Sequence, residues 1–102
     1  MDKKNVGDSR SFFRVLQTGP QTQTALMTLK PGEASGEKSN EHPRSDQVLL
    51  VLEGEILAEI GDETELLEKG DVVIVRAGVA HRFSNESQAS VSTFNVYGPP
   101  AY

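Results

Sequence analysis

Gly70-Asp71-Val72-Val73-Ile74-Val75-Arg76-Ala77-Gly78-Val79-Ala80-His81-Arg82-Phe83-Ser84-Asn85 decides how this chain is read. Val72–Val75 is a short β-branched run behind a glycine, with the length and composition of a strand. Gly78 punctuates the chain before a second short segment, Arg82–Phe83. Short strands at this spacing suggest a sandwich or barrel. The stretch also carries one of the chain's two histidines.

The same rhythm runs outward in both directions. Gly19-Pro20, Pro31-Gly32, Gly36, His42-Pro43, Gly54, Gly61-Asp62 and Gly98-Pro99-Pro100 cut the chain into short pieces. Between the turns lie strand-length runs at Phe12–Gln17, Thr24–Leu29, Gln47–Leu52, Glu55–Ile60, Thr64–Leu67, Val72–Val75, Arg82–Phe83 and Val91–Tyr97. Thr24–Leu29 and Val91–Tyr97 alternate apolar with polar residues most clearly, as half-buried strands do. Gly61-Asp62-Glu63 reads as a hairpin tip. No segment keeps a helical period over ten residues behind a cap.

At 102 residues there is room for one domain and one core. The reading is a single domain over residues 1–102, with an N-terminal arm (1–11) and a C-terminal tail (98–102). Hydrophobic residues make up 36% and charged residues 25%, the balance of a soluble globular chain. Absence of cysteine excludes disulfides and thiolate metal sites. A net charge of −5 without a basic cluster argues against nucleic acid and anionic membranes as partners. The polar N-terminus leads into no apolar signal region, so a cytoplasmic protein handling a small molecule or another protein is expected.

Two stretches resemble the paired motifs of the cupin family. Its second motif runs G-x5-P-x-G-x2-H-x3-N, and Gly70, Gly78, His81 and Asn85 match at the right spacing; only Arg76 departs, where the family has proline. The first motif, G-x5-H-x-H-x3–4-E-x6-G, is degraded. Anchored on Gly54, it places Gln47 at the glutamate, His42 at the second histidine and Asn40 at the first. A second register, Gly36-x5-His42, makes His42 the first histidine and Arg44 the second. Lys30-Pro31-Gly32 and the closing Val96–Tyr102 also look like the family. The fold that this resemblance implies is all-β, a double-sheet jelly-roll barrel.

By that resemblance Asn40, His42, Gln47 and His81 stand where the family has a three-histidine, one-carboxylate cage. Imidazoles suit Fe, Mn, Ni or Zn, so one divalent transition metal is the implied cofactor. Two amides in place of an imidazole and the carboxylate leave no negative charge, so the metal would be weakly held. Glu41 and Asp46 are the nearest carboxylates, but each neighbours an inward position and strand parity turns it away, unless Pro43 bends the chain. Parity from Gln47 and His81 places Leu49, Val51 and Phe83 along an apolar pocket. Arg44, turned inward, would pair with an anionic ligand.

Three functions follow. The leading one is a small-molecule-binding cupin with a degenerate two-histidine site. The second is a metal-dependent oxygenase or isomerase using the same residues. The third is a non-catalytic structural or partner-binding barrel, because fold alone does not fix function. Open sheet edges and exposed arms add the expectation of a homodimer.

Overall fold

A computed structural model describes residues 1–8 and 12–102. After a 3-10 turn at Val6–Asp8 come eight strands: β1 (Phe13–Thr18), β2 (Gln23–Leu29), β3 (Asp46–Glu53), β4 (Glu55–Ile60), β5 (Glu63–Glu68), β6 (Val72–Val75), β7 (His81–Ser84) and β8 (Val91–Gly98). They form two antiparallel sheets, ordered β1-β2-β8-β3-β6 and β5-β4-β7. The two sheets face each other as a double-sheet jelly roll, as the turn spacing and strand lengths implied. The expected runs fall within a residue or two of the observed strands, because glycine turns bound most of them.

The free edge of β7 is continued by isolated bridges, Ala34 with Ser84 and Ser39 with His81. The long connection after β2 therefore lies beside the strand that carries His81. Among the described residues no helix is long and apolar enough to cross a membrane.

Strand parity builds the interior. Leu49 and Val51 on β3, Met27 and Leu29 on β2, Ile56 and Ala58 on β4, Phe83 on β7 and Val91 on β8 form one buried cluster with Leu67 and Val75. Fully burying a side chain of this kind contributes about 1.5–3 kcal/mol relative to exposure. Towards the other end the inner face turns polar: Gln23, Gln47, Thr93 and Asn95 are all nearly inaccessible to solvent. Register sets them side by side, Tyr97 lying between Gln23 and Gln47, and Asn95 between Ala25 and Leu49. A buried polar end can persist only if its groups find partners, and these do.

Asn85, the last position of the second motif, closes the turn after β7. Its amide nitrogen donates to the Leu29 carbonyl at 2.9 Å and the Ala89 carbonyl at 2.8 Å. Its oxygen accepts from the Ser87 backbone N–H at 2.9 Å and hydroxyl at 2.7 Å. Asn85 is thus a fully paired structural residue.

The terminal segments pack on their own barrel. Gln17 donates to the Asp2 carbonyl at 2.7 Å, holding the N-terminal segment against β1. Gln23 clasps the tail: its amide nitrogen donates to the Tyr102 carbonyl at 2.7 Å, and its oxygen accepts from the backbone N–H of Ala101 (3.0 Å) and Tyr102 (2.9 Å).

Candidate functional site

The polar end of the barrel brings the two histidines together. His42 and His81 are 5% and 6% exposed, and their ring centroids stand 4.5 Å apart at 41°. His81 opens β7; His42 sits in a bend that a backbone hydrogen bond from Ser45 N–H to the His42 carbonyl closes at 3.1 Å. Both rings lean on aromatic neighbours, His42 on Tyr97 at 5.3 Å and His81 on Phe83 at 6.0 Å.

His42 heads a chain of side-chain hydrogen bonds that runs across the large sheet. Its Nδ1 lies 3.0 Å from the Ser45 carbonyl and must donate to it, while Nε2 lies 2.8 Å from the Gln47 amide. Gln47 Nε2 donates to Asn95 Oδ1 at 2.8 Å, and Asn95 Nδ2 donates to Thr93 Oγ1 at 3.0 Å. The Thr93 hydroxyl ends the chain on the Met27 carbonyl at 3.1 Å. Whichever way the Gln47 amide is turned, Nε2 of His42 is engaged.

That arrangement does not fit a divalent metal. Both nitrogens of His42 are committed, and both ends of the Gln47 amide are committed to His42 and Asn95. Asn40 is exposed, on the solvent side of the loop. His81 spends Nδ1 on the Val79 carbonyl at 3.0 Å, so only its Nε2 is left. Among the described residues no three His, Asp or Glu side chains converge on one point. Of the expected quartet of Asn40, His42, Gln47 and His81, the structure brings His42, Gln47 and His81 together, as a hydrogen-bonded pair, His42 with Gln47, beside a histidine whose Nε2 has no hydrogen-bond partner among the described residues, and leaves Asn40 exposed.

A cavity of about 210 Å³ opens next to His81, lined by Gln47, Ser35 and Glu41 together with the side chains of Phe13, Phe83 and Tyr97. Phe83 was expected there. Leu49 and Val51 point inward on the same face as Gln47 but lie deeper, in the apolar cluster. Arg44 is exposed and lines no part of it. A larger depression of about 720 Å³ lies outside the barrel, between the N-terminal turn and the outer face of β2 and β8, and holds neither histidine.

Several cavity residues escape a reading of the sequence. Glu41 lines the cavity because residues 41–44 form a turn, where pleat alternation does not apply. Asp46 faces out and accepts from the Ala77 backbone N–H at 2.8 Å. Tyr102 comes from the tail, its ring 5.1 Å from Tyr97 and 4.9 Å from Phe13. Asn95 and Thr93, which reach Gln47 from below the cavity, sit on the alternating strand Val91–Tyr97, where parity gives the period but not which face is the inner one.

Burial holds the His81 imidazole below its ordinary value of 6.5; the Val79 carbonyl opposes, the charge of His42 lowers it further, and Glu41 opposes. Burial also raises the Tyr97 and Tyr102 phenols, and Glu41 adds to both shifts. A histidine depressed on folding binds fewer protons folded than unfolded, so stability rises with pH between the two values. The His81 contribution is complete above about pH 6.5 and is lost as the pH falls through the lower folded value. His81→Gln should therefore flatten the acid side of the stability profile, read as urea midpoints against pH. An unchanged slope would show that the acid sensitivity comes from elsewhere.

Comparison with known proteins agrees with this architecture. A family sequence model described as the cupin domain matches residues 25–97. An uncharacterized protein of Acanthamoeba polyphaga mimivirus is 32% identical over 92 residues, covering 86% of this chain and 56% of that protein. The HTH-type transcriptional regulator PuuR of Escherichia coli (strain K12) is 25% identical over 104 residues, covering 99% of this chain and 55% of the regulator. The chain thus spans about half the length of the curated relatives it matches. A crystal structure from Bacillus halodurans, BH2720, superposes with a TM-score of 0.85 at 30% identity, over 94% of this chain and 76% of that one. Two facing sheets, the motif Gly70, Gly78, His81 and Asn85, and the matched family model lead to one conclusion: this chain belongs to the cupin family.

Proposed function

We propose that this chain is a small-molecule-binding cupin whose site recognises its ligand through side chains, without a resident transition metal. The observation that carries the reading is the cavity itself: apolar and aromatic walls with a few polar groups, Gln47, His81, Ser35 and Glu41, gathered beside it. This is the usual composition of a small-molecule site. The free Nε2 of His81 is the one ring nitrogen left to meet a ligand, either as acceptor or, once protonated, as donor. The regulator that aligns along nearly the whole chain favours recognition over catalysis.

Elemental analysis of protein equilibrated with Fe, Mn, Ni and Zn, followed by a thermal-shift panel of small molecules, tests this. The expected result is no stoichiometric metal and a raised melting temperature with at least one compound, since a ligand of the folded state stabilises it. Stoichiometric metal that disappears in His81→Ala would instead make an oxygenase or isomerase the leading reading.

We also propose that the chain acts as a homodimer built on the outer face of the large sheet. Phe94, Leu50 and Val72 are successive neighbours across β8, β3 and β6, and Val96, Val48 and Ile74 form a second row beside them. Val72 and Ile74 are 59% and 48% exposed, so the apolar rows run out into solvent. A self-complementary β face suits a two-fold axis. Light scattering at micromolar concentration should give twice the chain mass, and Ile74→Lys should halve it; a monomeric mass for the unaltered protein ends the idea.

A further inference from the structure

We infer that the cavity takes a small organic cation, a primary or quaternary ammonium, held between aromatic rings and the Glu41 carboxylate. The inference rests on the small-molecule reading above and narrows it to a chemical class.

The distribution of aromatic residues is the first observation. The chain has four phenylalanines and two tyrosines. All of them but Phe94 line this one cavity, although they come from three strands, the segment before β1 and the tail. The rings are set at steep angles to one another, 57° between Phe13 and Tyr102 and 78° between Tyr97 and Tyr102, so they wall a cup and do not stack flat. Aromatic faces attract a cation through the ring quadrupole, and ammonium groups are the ligands that such cups select.

The charge of the cavity is the second. Among the described residues Glu41 is its one acidic lining residue, and no lysine or arginine lines it. The ion pairs found among the described residues are Lys4 with Asp2, Lys69 with Glu53 and Arg82 with Glu59, so none uses Glu41. The nearby Lys38 ammonium donates instead to the Gly61 carbonyl. Glu41 is held over Gly36, whose Cα leaves room for the carboxylate: a β-carbon there would stand 3.0 Å from its oxygen.

An anion entering this cup would meet Glu41 and, among the described residues, find no fixed positive charge in return. A neutral apolar molecule would fill the space but strip water from a carboxylate it cannot pair. A cation satisfies both walls. At about 210 Å³ the cavity is smaller than the roughly 300–1,000 Å³ of drug-sized sites, so the ligand is the size of a headgroup.

Calorimetric titration of the full chain with three isosteric probes tests the class: choline, its neutral carbon analogue 3,3-dimethyl-1-butanol, and the anion 3,3-dimethylbutanoate. Choline should bind at least tenfold more tightly than the alcohol, with the anion weakest. Glu41→Gln, an exposed position where folding should survive, should reduce choline to the affinity of the alcohol, and Tyr102→Leu should weaken choline more than the alcohol. Equal affinity for choline and alcohol, a preference for the anion, or a Glu41→Gln variant that binds choline unchanged would overturn the cation while leaving a small-molecule site in place. No binding by any of the three at tens of millimolar would overturn the cation and the small-molecule site together.

Discussion

Gly54→Ala should destabilise the protein by about 3 kcal/mol, combining the roughly 1–2 kcal/mol cost of a left-handed conformation with overpacking of similar size. Gly54 has φ of +84°, and a β-carbon there would stand 2.7 Å from the Ser90 carbonyl oxygen and 3.0 Å from the Val91 Cα. Both obstacles are backbone, and Val91 begins β8 in the fully buried core, so neither can give way like a side-chain tip. For a domain of this size the melting temperature should drop by more than about 12 °C. Gly70 supplies the control. Its φ of +92° is equally left-handed, but a β-carbon there meets nothing within 4 Å. Gly70→Ala should cost only the conformational part, and equal losses at the two positions would remove the steric argument for Gly54.

Phe83→Ala should cost more still, about 3–5 kcal/mol by denaturant titration. The ring is 1% exposed and belongs both to the apolar cluster and to the cavity wall. Its loss leaves a void that adjoins the existing cavity, so the emptied volume is open to water from the cavity side. The size of the effect depends on how far Met27, which touches both regions, can shift inward. A loss below about 1 kcal/mol would mean that the barrel closes over the gap.

Much of this architecture can be read from residues alone. The glycine-bounded runs locate the strands, and β3 shows why parity works: Gln47, Leu49 and Val51 alternate cleanly with half-exposed residues. On β8 the two faces are almost equally apolar, Phe94 and Val96 facing out while Val91 and Tyr97 face in. Alternation there fixes the period without fixing the side, and Thr93 and Asn95 go unseen as interior polar groups. The site is legible only in part for a related reason. Spacing brings His42, Gln47 and His81 together, but it cannot tell a ligand from a hydrogen-bond partner, which depends on where Ser45, Asn95 and Val79 point their oxygens. Asn40, Arg44 and Glu41 lie in a connection where no period operates. Tyr102 reaches the cavity through a clasp with Gln23, 79 positions away, and no local pattern carries that contact.

That clasp has a thermodynamic consequence. Tyr102 is a wall of the cavity, while Gln23, which keeps it docked, lines no part of the cavity. Two equilibria therefore share one side chain: docking of the tail and occupancy of the cup. Linkage requires that any ligand touching Tyr102 strengthen the docking by the same factor by which docking strengthens the ligand. For a ligand that touches Tyr102, a glutamine outside the cup would thereby act on affinity, and occupancy of the cup would tighten the docking of the tail.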